Sequence, residues 1–262
     1  MNLELICEKP KGKAHPTPLL FVHGKWHAAW CWAEHFLPYF AAHGYLSYAL
    51  SLRGHGGSEG REHLRWTSIA DYAADVAQAA GQLGAPPVII GHSMGGFITQ
   101  KYLEVHTAPA AVLLTAIPPS GLWPTTWLVF RRHPAVFLKA LFTLRLYPVV
   151  GTPALAGETL FSADMPEEKV AAYHQRLQDE SFRSYVDELG LNLVRPARVR
   201  TPLLVIGVEN DMVIPLKAVH ATARAYGTTA EIFPNMAHDV MLEAGWEAVA
   251  ERILSFLGEK GL

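Results

Sequence analysis

The sequence predicts an α/β protein with a mostly parallel central sheet flanked by helices, and three observations carry that expectation. Short runs rich in β-branched and apolar residues alternate with segments of helical periodicity. The runs are apolar almost without interruption, as strands buried on both faces of a parallel sheet must be. One long interval between two of these runs contains helical patterns but no convincing strand.

In chain order the strand-like runs are LLFVH (19–23), LSYAL (46–50), PVIIGH (87–92), AAVLLTA (110–116), TPLLVIG (201–207) and AEIFP (230–234). Between and after them, apolar residues recur at helical spacing over 30–43, 69–83, 95–106, 215–226 and 246–257. The interval 120–195 carries Trp123, Trp127, Phe130, Phe137, Phe142, Tyr147 and Phe161. A structureless loop of that length is implausible. The expectation is a helical cap at 120–195, inserted in a core made of 1–119 and 196–262.

Composition narrows the function. With 262 residues, half of them apolar, the chain can bury the core of one large domain carrying an insertion. A formal charge of −2 lacks the basic footprint of nucleic-acid binding, so a small-molecule partner is expected. Cys7 and Cys31 form no CxxC pair, and MNLELICEKPKGK lacks the order of a signal peptide, which together predict a cytoplasmic protein with reduced thiols. The most apolar stretch, 134–151, is broken by Lys139, Arg145 and Pro148, short of the roughly 20 clean residues a membrane span needs. Arg131, Arg132, Lys139 and Arg145 interleave with its aromatic residues and read as a solvated outer face of the cap, with transient contact with a lipid surface as the alternative. Glu167, Glu168, Asp179 and Glu180 also read as solvated.

The chemistry starts at VIIGHSMGGF, residues 88–97. Ser93 lies in a G-x-S-x-G pattern between a strand-like run and a helical one, the context in which a tight turn lifts a serine hydroxyl above a sheet. Small residues two places either side let strand and helix approach. A serine needs a base to take its proton. Of 13 histidines, His238 in FPNMAHDVMLE follows the last strand-like run, and active sites collect at the carboxyl ends of parallel strands. A carboxylate must then orient the histidine. Asp211 in LLVIGVENDMVIP follows the preceding run directly; Glu209 competes, and Asp239 adjoins the histidine but is expected to point elsewhere. The oxyanion donors expected are the backbone N–H groups of Met94, at a helix start, and of Lys25, in the loop after LLFVH. The Lys25 side chain is expected to be a solvated charge. Trp26, Trp123, Trp127 and Phe142 are the expected pocket residues. No metal is expected, because His23 and His27 lie in a loop without an HExxH pattern, and 53–58 lacks the P-loop lysine.

Together these residues resemble the α/β-hydrolase superfamily over nearly the whole chain. HGKWHAAWCW is similar to the loop of plant methylesterases and hydroxynitrile lyases, while SLRGHGGSEG, GHSMGG and GVENDMVIP are similar to bacterial esterases and monoglyceride or lysophospholipid lipases. The resemblance implies Ser93, Asp211 and His238 as a triad, Lys25 and Met94 as oxyanion donors, and no cofactor. It implies hydrolysis of small to medium hydrophobic esters through an acyl-enzyme. Carbon–carbon hydrolysis, lactonase, perhydrolase or hydroxynitrile lyase chemistry, or a ligand receptor without turnover, stay open. The chain departs from the pattern in two places: only a single edge strand near 3–8 fits before LLFVH, and Ser51 stands where relatives often place an aspartate two residues before the arginine.

Overall fold

The computed structural model describes residues 1–262. Seven strands form one sheet in the order β1-β3-β2-β4-β5-β6-β7. They are β1 (Leu5–Glu8), β2 (Leu19–Val22), β3 (Ser47–Leu50), β4 (Val88–His92), β5 (Ala111–Leu114), β6 (Leu203–Val208) and β7 (Ala230–Phe233). The single edge strand β1 runs antiparallel to β3, and every other pairing is parallel. All six expected runs are strands, each within two residues of its expected ends, and the last of them, β7, forms the second edge of the sheet.

The unbroken apolar runs have the reason the sequence suggested. Leu19 and Phe21 of β2, Val88 and Ile90 of β4, and Leu204 and Ile206 of β6 join one buried layer with α1 (Trp30–Ala33), α2 (Phe36–Ala42) and the closing helix α11 (Trp246–Glu259). Leu20, Val22, Ile89, Leu113 and Val205 join the opposite layer, under α3 (Ile69–Gly81), α4 (Met94–Leu103) and α10 (Leu216–Ala225). Alternate residues along each strand therefore serve different layers, each fully buried side chain contributing about 1.5–3 kcal/mol.

One helix differs from expectation. The pattern over 30–43 predicts a single helix, but α1 and α2 are separate, with His35 outside helical geometry at φ −136° and ψ −50°. Pro38 explains the break. Its ring would clash with the carbonyl of Glu34 in a continuous helix, whereas in the first turn of α2 its missing N–H costs nothing.

Between β5 and β6 the chain forms α5 (Trp123–Arg132), α6 (Pro134–Thr143), α7 (Pro153–Leu160), α8 (Glu167–His174) and α9 (Phe182–Val186), and no strand. No helix of the chain is long and apolar enough to cross a membrane. Cys7 and Cys31 are both free thiols.

Candidate active site

The expected site residues converge although they are far apart in sequence. Lys25, Ser93, Asp211 and His238 follow β2, β4, β6 and β7, so four parallel strands deliver them to one edge of the sheet. Ser93 has φ 52° and ψ −116°, a strained conformation for a residue with a Cβ. The flanking glycines make this turn possible. A Cβ on Gly95 would collide with the backbone oxygens of Val22 and His23 at the end of β2, and one on Gly91 would collide with Thr99 Oγ1 and the backbone of Gly95.

His238 Nε2 lies 2.8 Å from Ser93 Oγ, and Nδ1 lies 2.9 and 3.0 Å from the two oxygens of Asp211. An ionised carboxylate only accepts, so Nδ1 carries the proton and Nε2 is left to accept from the serine hydroxyl. Asp211 is aimed by the N–H groups of Val213 and Ile214, which both donate to its Oδ1, at 2.7 and 2.8 Å. The carbonyl of His238 accepts from His92 Nε2 at 3.0 Å and Thr115 Oγ1 at 3.1 Å, which fixes the loop after β7. Burial alone would lower the pKa of His238, but the Asp211 carboxylate outweighs it and holds the imidazole above its ordinary value of 6.5. Burial instead pushes His92 down to about 3, so it stays neutral.

The loop after β2 passes against the serine, where a Cβ on Gly24 would sit 3.0 Å from Ser93 Cβ. His23 Nδ1 donates to the Gly24 carbonyl at 2.8 Å, while His23 Nε2 accepts from the N–H of Leu52 at 3.1 Å. The Gly24 carbonyl and the Lys25 N–H belong to one planar trans peptide and point in opposite directions. Holding the carbonyl therefore sets the direction of the N–H. No hydrogen bond within the protein uses the N–H of Lys25 or of Met94.

Several polar side chains expected in solvent are buried. The Lys25 ammonium lies 2.8 and 2.6 Å from the two oxygens of Glu188, which the wide π-helical turn Asp187–Leu191, just after α9, delivers. Burial pushes the Glu188 carboxyl up to about 7 in spite of that ammonium. Glu180 is equally enclosed, 3.1 Å from His55 Nε2 and 2.7 Å from the Tyr72 hydroxyl. Burial would raise its pKa, but His55 and the N–H of Ser181 outweigh that and take it to about 2. Asp239 points away from the relay, as expected, and packs 3.0 Å from His27 Nε2 and 3.7 Å from His92 Nε2. The unusual Ser51 is also explained, because Glu4 supplies the absent carboxylate, accepting from Ser51 Oγ at 2.5 Å. Sequence spacing could reveal none of these pairs, which join residues as far apart as 25 and 188.

His92, His238 and Asp239 have ligating atoms within 4.8 Å of one another. Both nitrogens of His238 are already committed to Asp211 and Ser93, so the three do not make a ready metal site.

Ser93 opens into a narrow cleft of about 70 Å³ lined mainly by apolar side chains, among them Trp26, Ile117, Val129, Phe137, Leu141, Leu146, Phe182 and Tyr185. Of the expected pocket residues only Trp26 is in this lining. Trp123, Trp127 and Phe142 are 61, 58 and 85 % exposed and are corrected to surface positions. The physical reason is helical phase: α5 turns Thr125, Thr126 and Val129 toward the cleft, and α6 turns Phe137, Ala140 and Leu141, leaving the larger rings outside.

Residues 19–252 match the sequence model of the alpha/beta hydrolase family. A monoacylglycerol lipase of Mycolicibacterium smegmatis is 27 % identical over 239 residues, covering 86 % of this chain and 82 % of that one. Among solved structures, the monoacylglycerol lipase of Paleococcus ferrophilus superposes with a TM-score of 0.74 at 18 % identity, covering 99 % of this chain and all of its own. An esterase from Exiguobacterium antarcticum reaches 0.72 at 18 % identity, covering 98 % and 95 %. The matched residues run from the first parallel strand into the closing helix and enclose the whole Ser93 site, and on that match this chain belongs to the alpha/beta hydrolase family.

Proposed function

We propose that this protein is a serine carboxylic-ester hydrolase acting through an acyl-enzyme on small to medium hydrophobic esters. The observation that carries the reading is the continuous line from Asp211 through His238 to Ser93, with contacts of 2.9 and 2.8 Å, opening into an apolar cleft. Residues 120–195 act as the cap that roofs this cleft, and the names of the relatives support an ester with an apolar acyl group.

The Ser93 hydroxyl gives its proton to His238 Nε2 as its oxygen attacks the ester carbonyl carbon. The charge that develops on the carbonyl oxygen is met by the N–H groups of Lys25 and Met94, each donor worth about 2.7–4 kcal/mol in such sites. The carbon–oxygen bond to the alcohol breaks, and His238 returns the proton to the leaving oxygen. Water then attacks the acyl-serine and loses a proton to the same nitrogen, and as the bond from Ser93 Oγ to the acyl carbon breaks, His238 returns that proton to Ser93 Oγ and the acid is released. Asp211 stays ionised throughout and steadies the imidazolium.

Hydrolysis of p-nitrophenyl esters from acetate to palmitate, with Ser93→Ala as control, tests the reading. Turnover that disappears in the variant supports it. Failure of the intact protein to hydrolyse any ester would remove it.

A further inference from the structure

The hairpin of α5 and α6 is apolar on more sides than it can use. An apolar helix face is normally buried, yet α5 has no buried residue and the more apolar α6 has only Ala140. One side walls the cleft. On the other, Trp123, Trp127 and Phe130 recur at i, i+4 and i+7 along α5, and Leu138 and Phe142 lie one turn apart on α6, all exposed. The Phe130 ring meets Phe137 at 5.4 Å and links the two helices.

The charge around this surface is one-sided. No aspartate or glutamate occurs between Glu104 and Glu158, in a chain whose net charge is −2. Arg132 pairs with Glu158 and Arg145 with Asp179 at the margin, whereas Arg131 and Lys139 are exposed and form no ion pair.

We propose that the outer face of α5 and α6 docks on an anionic lipid surface, with its rings in the acyl boundary and Arg131 and Lys139 on the headgroups. Exposed Trp, Phe and Leu beside unpaired basic side chains are what such an interface binds. A second copy of the chain fits worse, because a two-fold contact of this face with itself would bring two basic surfaces together with no carboxylate on α5 or α6 to answer Arg131 and Lys139. Docking would bring the cleft, whose wall is the other side of the same hairpin, next to an apolar phase. The docking does not depend on the ester-hydrolase reading, so the two can fail separately.

The test is flotation of the full chain with vesicles of phosphatidylcholine alone or mixed with phosphatidylglycerol. Binding is expected to the mixed vesicles only, and to weaken as salt rises. Arg131→Gln and Lys139→Gln should each lower partitioning about fivefold, and Trp127→Ser or Phe142→Ser about tenfold or more. Trp66→Ser, an exposed ring outside the patch, should change nothing. Circular dichroism melts matching the parent show that the variants are folded. No flotation with the mixed vesicles, equal binding to both kinds, or equal binding by all variants would overturn the proposal. So would a lipid-free dimer in sedimentation that Phe142→Ser dissociates, which would assign the face to a second copy.

Discussion

Replacing Asp211 by asparagine keeps the volume of the side chain and tests the relay directly. Val213 and Ile214 both donate to Oδ1, so the asparagine oxygen must take that position. The amide nitrogen then falls where Oδ2 stood, 2.9 Å from His238 Nδ1. An amide N–H₂ can only donate, which favours the His238 tautomer with its proton on Nε2, the atom that must accept from Ser93, in competition with the oxygen at the Oδ1 position, 3.0 Å from Nδ1. For the same change in Ser-His-Asp enzymes the loss in kcat is about 10⁴-fold, or roughly 5.4 kcal/mol at 1.36 per decade. The pH profile should move as well. In the parent, His238 works only when neutral, and its pKa is raised, so the acid limb of kcat/KM lies above 6.5. With the carboxylate gone, the burial that opposes it remains, and the limb should fall below 6.5. Steady-state hydrolysis of a p-nitrophenyl ester between about pH 5 and 9 reads both effects. An acid limb that stays in place in a folded variant would show that Asp211 does not set the state of His238.

Three further outcomes follow from the buried polar groups. Glu188→Ala leaves the Lys25 ammonium enclosed without a partner and should cost about 3–5 kcal/mol in urea unfolding at about pH 8, while Lys25→Met with Glu188→Leu should recover most of it; a double variant no more stable than the single one contradicts the argument. Glu180 has a folded pKa of about 2 against an ordinary 4.5, so it contributes about 3 kcal/mol that is complete above the unfolded pKa and lost as pH falls toward 2. Urea melts between about pH 6 and 3 should therefore flatten in Glu180→Gln, and an unchanged slope counts against the assignment. His23→Ala frees the carbonyl that directs the Lys25 N–H and should lower kcat about 100-fold with KM nearly constant; a rise in KM alone would place His23 in substrate binding.

Much of the fold was legible because its signals are local. Strands buried on both faces are apolar almost throughout, so β2, β4, β5 and β6 stand out, and all six expected runs lie within two residues of their ends even though β7 is a half-buried edge strand. The turn at Ser93 announces itself through Gly91 and Gly95, whose missing Cβ atoms are sterically required. The candidate histidine and carboxylate could be chosen by their place after β7 and β6 alone. Pro38 was visible too, although its effect of splitting one helix into α1 and α2 depends on where the first turn begins.

What stayed hidden depends on phase and on distant pairing. Composition marks α5 and α6 as aromatic, but only their seating over the sheet decides that Val129 and Phe137 face the cleft while Trp123, Trp127 and Phe142 face outward. The charges of Lys25, Glu180 and Glu188 look like any solvated charges in a string of residues. By itself, then, the sequence determined the layered sheet and the candidate nucleophile, base and carboxylate, since each rests on residue type and nearest neighbours. Tertiary structure alone decided which charges are buried as pairs and which rings line the cleft, because burial belongs to the packing of segments more than a hundred residues apart.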